Sequence, residues 1–127
     1  MAERRYKGYR IYAYITLARL FAELDLDLAQ PDLLAVVEPR LATLTRRVSK
    51  EQILHAIRSN SHMTEKVLEY LVGEGFATVR HDEAGYDVRI TRRGVEHLRE
   101  YHRFYHELYA RELAEHYRFV PSPEWMR

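Results

Sequence analysis

The sequence predicts a mostly α-helical fold carrying one small β-hairpin, and three observations predict it. Apolar residues recur at spacings of three and four through most of the chain, the mark of amphipathic helices. On either side of Asp82–Gly85 the spacing falls to two, the mark of paired strands. Polar capping residues and glycines fall at the junctions between these stretches. With 127 residues the chain is near the commonest size for one hydrophobic core, so residues 1–127 read as a single domain. A hydrophobic share of 46 % excludes a disordered chain. The absence of cysteine excludes disulfides, thiolate metal sites and a cysteine nucleophile. No apolar run approaches the roughly 18 residues of a membrane span, so a cytoplasmic protein with no membrane partner is expected.

The first element is a helix over residues 5–29, with Ile11, Tyr14, Ile15, Ala18, Phe21 and Ala22 on one face. Tyr6, Tyr9 and Tyr12 widen that face, which suits either a core helix or one half-covered by a second subunit. Pro31 fits the first position of the next helix, where a missing N–H costs nothing. Its buried stripe is Leu34, Val37, Leu41 and Leu44, and Pro39 inside it predicts a kink or a split. Ser49 and Gln52 form a capping box that opens a helix over Lys50–Arg58, burying Ile53, Ala56 and Ile57. The polar turn Ser59-Asn60-Ser61 leads into a helix over His62–Val72, with Thr64, Val67, Leu68 and Leu71 inward. Gly73 and Gly75 end it. Phe76–His81 and Tyr86–Thr91 then alternate around the Asp82–Gly85 turn. Setting His81 opposite Tyr86 places Val79 opposite Val88 and Ala77 opposite Ile90, which makes one face apolar. The other face carries Thr78, Arg80, Asp87 and Arg89, and is expected to meet solvent. Thr91 caps a last helix over residues 92–118, whose seam of Val95, Leu98, His102, Tyr105 and Tyr109 has a period of about 3.5. Residues 119–127, with Pro121, Pro123 and Trp125, form a tail.

Two short helices joined by a tight polar turn and followed by a hairpin are carried by four stretches. These are Ser49–Arg58, Ser61–Leu71, the exit Leu71-Val-Gly-Glu-Gly75-Phe76 and the junction Ile90-Thr-Arg-Arg-Gly94-Val95. In this order they resemble the winged helix-turn-helix family. Its members show a leucine, three residues and a glycine before the first wing strand, and an apolar–Thr–x–x–Gly motif where the wing returns to helix. The resemblance covers about residues 31–98 and implies a winged helix-turn-helix core over residues 31–91. Ser49–Arg58 would then be the supporting helix and Ser61–Leu71 the recognition helix. The long N- and C-terminal helices resemble those of small prokaryotic regulators that dimerise through them, as in the MarR type or the archaeal winged-helix coiled-coil proteins. The wing is shorter than in MarR proteins, and one terminal helix stands where they usually have two. Only the architecture is carried over, and no ligand pocket.

The resemblance implies a homodimer that binds double-stranded DNA as a transcriptional regulator or small nucleoid-associated chromatin protein. Net charge is only +1, so attraction to phosphate must come from uneven placement of charge. Between Pro39 and Lys66 there are six basic residues and two acidic ones. The phosphate-contact candidates are Arg40, Arg46, Arg47, Lys50 and Arg58, with Arg80 and Arg89 on the wing and Arg92 and Arg93 after it. Base reading falls to Asn60, Ser61, His62, Met63 and Lys66 on the outward side of the recognition helix. Glu65, Glu69, Asp82 and Glu83 work against tight DNA binding. The alternative is a winged helix used for protein contact without DNA, as in a subunit associated with the transcription machinery.

No Gly-rich phosphate loop, HExxH or serine-nucleophile motif is present, so no enzyme and no cofactor are expected. His102 and His106 lie one helical turn apart and are weak metal candidates, because two ligands leave a zinc site incomplete. A last helix longer than the domain is wide is expected to pair with a second copy. The dimer-interface candidates are Tyr14, Phe21, Val95, Leu98, His102, Tyr105 and Tyr109. Whether an effector is sensed has no signature in the sequence.

Overall fold

The computed structural model describes residues 9–57 and 59–116, with side chains over 11–57, 59–104 and at 107. In order the elements are α1 (Tyr9–Ala22), α2 (Leu33–Thr43), α3 (Lys50–Ala56), α4 (Ser61–Gly73), β1 (Ala77–Asp82), β2 (Gly85–Ile90) and α5 (Arg92–His116). The protein is mostly helical, with one two-stranded antiparallel hairpin. Among the described residues no helix is long and apolar enough to cross a membrane.

α1 is the axis of the core. Ile11 to Ile15, Leu17, Ala18, Leu20 and Phe21 are all buried, so the helix is covered on nearly every side, by α3, α4, β2 and α5. The buried Thr16 hydroxyl donates back to the Tyr12 carbonyl at 2.8 Å. This corrects the expected dimer interface. Tyr14, Phe21, Val95 and Leu98 are buried within their own chain, and none is offered to a second subunit. The half-buried His102 faces inward as well, its Nδ1 lying 3.1 Å from the Tyr14 hydroxyl. The Tyr105, Tyr109 and His106 side chains lie outside the described residues.

α1 also stops short of the expected 29. Asp25 adopts a left-handed conformation (φ 55°), and Asp27 turns the chain by accepting from Ala29 N at 2.9 Å. Leu33, and not Pro31, takes the first position of α2, with Asp32 at its N-cap. Pro39 sits within α2 without splitting it. The carbonyl it leaves without a helical donor belongs to Ala35, which is exposed to water.

The stretch from α3 to α4 forms as its capping residues dictate. The Ser49 hydroxyl accepts from Gln52 N at 3.1 Å and Gln52 Oε1 accepts from Ser49 N at 2.8 Å. Thr64, Val67, Leu68 and Leu71 are buried. At the exit of α4, Phe76 N donates to Leu71 O at 2.9 Å and Gly75 N to Val72 O at 3.0 Å, across Gly75 at φ 80°. These are the two bonds of a Schellman motif, which only a residue tolerant of positive φ can close.

The hairpin has the expected register: Ala77 faces Ile90, Val79 faces Val88, Arg80 faces Asp87 and His81 faces Tyr86. Its second face is open at Thr78 and Arg80, as the alternation suggests, but not at Asp87 and Arg89. Asp87 is only 5 % exposed and Arg89 is half-buried. The connection before α3 returns alongside β2, where Val88 N donates to Val48 O at 2.9 Å. Arg89 spans the gap, its Nη1 and Nη2 donating to the carbonyls of Leu41 (3.1 Å) and Leu44 (3.2 Å) at the C-terminal end of α2. Its Nε donates to Asp87 Oδ2 at 3.2 Å.

Candidate nucleic-acid interface

α4 begins at a stiff turn. Asn60 Oδ1 accepts from Met63 N at 2.8 Å, and the buried Thr64 hydroxyl donates to Asn60 O at 2.8 Å and meets Ser59 Oγ at 3.0 Å. Ser61, His62, Glu65, Lys66 and Glu69 are then exposed along one side of the helix. Of the five base-reading candidates, Ser61, His62 and Lys66 hold the outward positions. The other two are corrected: Asn60 commits its acceptor to capping, and Met63 is half-buried against the core.

The cations divide by what already holds them. Arg40 donates to the carbonyls of Leu24 and Asp25, just beyond the C-terminal end of α1, and Arg89 is committed to the end of α2. Both act as ties between elements and leave the set of phosphate contacts. Lys50 pairs with Glu65 and lies 5.7 Å from the Tyr86 ring centre, its side chain only 18 % exposed. Arg47 makes two bonds to the Asp82 carboxylate, at 3.2 and 2.8 Å, linking the connection before α3 to the hairpin tip. Those bonds hold Asp82 below the usual carboxylate range, helped by the Ala84 N–H, and hold the Arg47 guanidinium above its ordinary value. Arg46 is 83 % exposed and lies 3.8 Å from Glu23. Arg80, Arg92 and Arg93 are exposed, with the Arg93 guanidinium 5.7 Å from the centre of the Phe76 ring. Arg58 lies outside the described residues. The pairings with Glu65 and Asp82 leave no signal in the sequence, because those partners stand 15 and 35 residues away in the chain.

At the base of α5, His97 stacks on Phe76 with ring centres 4.2 Å apart and leans on Tyr101 at 4.8 Å. Burial in that stack pushes its pKa below the ordinary 6.5. Among the described residues no three His, Asp or Glu side chains gather as a metal ion would require. The surface around α4 can therefore offer hydroxyl, imidazole and ammonium groups to a ligand, from a turn whose backbone is fixed by its own hydrogen bonds. Compared with protein-family models, with curated proteins and with solved structures, the chain matches none of them.

Proposed function

We propose that the chain is a winged-helix protein that binds duplex DNA through α4 and acts as a dimeric transcriptional regulator or small chromatin protein. One observation carries this reading. α4 buries Thr64, Val67, Leu68 and Leu71 while turning Ser61, His62 and Lys66 outward at its N-terminal end, just after a capped turn. That is the part of a recognition helix that meets base edges. Ser61 and His62 bond base edges, and Lys66 reaches guanine O6 or N7. Arg46, Arg80, Arg92 and Arg93 supply phosphate contacts, which fix position without reading sequence.

A second copy pairs through α5. Its flank bears Tyr101 and Phe104, 42 % and 58 % exposed. With Tyr14, Phe21, Val95 and Leu98 spent on the core, this flank takes their place. Two α4 helices related by the twofold then meet successive major grooves, about 34 Å apart.

The test is a mobility-shift titration with random-sequence duplex at two salt concentrations, alongside a light-scattering mass. Binding that weakens with salt is expected, with Lys66→Ala weakening it and Arg40→Ala leaving it unchanged in folded protein. Retained affinity in a Lys66→Ala, Arg46→Ala double variant removes α4 from the interface.

A further inference from the structure

We infer that the outer edge of β1 and the apolar groove beside it form a docking site for an extended basic peptide of a protein partner. The edge follows from the pairing. Thr91 N donates to Phe76 O at 3.0 Å, and the register places these two residues opposite one another. Antiparallel pairs alternate between bonded and non-bonded, so Thr78, Arg80 and Asp82 turn their backbone groups toward β2. Ala77, Val79 and His81 turn theirs away from it. The same parity sends Val88 N away from β1, and there it finds Val48 O. One outer edge of the hairpin is thus occupied. Along the other, no described residue exchanges a backbone hydrogen bond with Val79 or His81, and β1 is exposed at Thr78, Arg80 and His81.

Beside this edge α4 and the hairpin leave a groove of about 390 Å³, floored by Leu68, Val72, Val79 and Tyr86. Val72 is 44 % exposed there, an apolar side chain on an otherwise polar helix surface. Two carboxylates, Glu65 and Glu69, stand on the α4 wall. Lys50 is spent on Glu65 against Tyr86, which closes one end and leaves the wall negative through Glu69. A phosphodiester meets repulsion and an apolar floor. An added strand instead satisfies the outward groups of Val79 and His81, and sends alternate side chains onto the floor. Apolar residues at those positions fill the groove and a basic residue at one of them meets Glu69, while the residues between them turn to the opposite face beside Arg80.

The probe is a fluorescein-labelled peptide in which threonine alternates with valine and lysine, so that valine and lysine share the groove-facing side, with glutamate in place of lysine as control, titrated into the full chain by fluorescence anisotropy. Amide hydrogen exchange by NMR reads the edge directly. The lysine peptide is expected to bind saturably, at least about tenfold tighter than the glutamate peptide, and to protect the Val79 and His81 amides. Val72→Glu, at an exposed helix position, weakens binding by at least about tenfold with an unchanged circular dichroism spectrum. Glu69→Lys reverses the preference between the peptides. Absence of saturable binding, or binding indifferent to Val72→Glu, overturns the proposal. So does protection of these amides by the chain's own concentration or by random duplex DNA, which assigns the edge to a second copy or to nucleic acid. None of these results depends on whether the chain shifts duplex DNA.

Discussion

Gly94 occupies a point where no side chain fits. A Cβ there would lie 2.2 Å from the Phe76 carbonyl oxygen and 2.7 Å from Ile90 Cγ1. The crowding arises because Thr91 ties the start of α5 to the exit of α4: its hydroxyl donates to Gly75 O at 2.6 Å and accepts from Gly94 N at 3.0 Å. Its own N–H donates to Phe76 O. Gly94→Ala is therefore expected to cost about 3 kcal/mol or more, since a backbone carbonyl cannot rotate aside as a side chain can. Gly73 is the contrasting case, at the last position of α4, where an added methyl group would meet nothing within 4 Å. Gly73→Ala is expected to stabilise by roughly 0.4–1 kcal/mol, through the lost freedom of the unfolded chain. Urea midpoints of the two variants check both signs. The apolar–Thr–x–x–Gly spacing was legible in the sequence, and so was the Thr91 cap. Which glycine is crowded was not, because the crowding atoms belong to Phe76 and Ile90, brought together only when the hairpin closes.

Among the elements, local signals locate the joints and long-range ones stay hidden. The Ser49 box, the exit at Gly75 and the hairpin register each rest on residues within a few positions of one another, and each forms as the sequence predicts. α1 departs from expectation for a physical reason: periodicity shows that a face is apolar but not whether this chain or another covers it. Arg40 and Arg89 depart from it similarly, since a basic residue bound for a distant helix end has the same sequence signature as one bound for phosphate. Arg89 also holds Asp87, whose Oδ1 is buried without a hydrogen-bond partner among the described residues. Removing the guanidinium strands that carboxylate and leaves the end of α2 uncapped. Arg89→Ala is expected to lower stability by roughly 3 kcal/mol. Arg89→Lys should recover only part, because an ammonium cannot hold two carbonyls and a carboxylate in one plane. Thermal melts of the two variants decide it: equal loss in both would mean the planar fork contributes nothing.

For the whole molecule, the distribution of charge governs what a duplex would feel. Twenty basic residues face nineteen acidic ones, and several cations near α4 are already held by carboxylates or carbonyls. The expected phosphate contacts narrow to Arg46, Arg80, Arg92 and Arg93, all exposed. If all four neutralise phosphate, the slope of log affinity against log salt is about −3.6 per protomer, at about −0.9 for each contact. Glu69 opposes them from the exposed side of α4, so Glu69→Lys exchanges a repulsion for an attraction. Its DNA affinity is expected to rise at every salt concentration, and its slope to steepen by about 0.9 if the new lysine meets a phosphate. A rise in affinity with no change in slope would place Glu69 near the duplex but not against its backbone. No change in either quantity would place α4 away from the DNA, and the cations on the hairpin and at the start of α5 would then have to carry the binding without it.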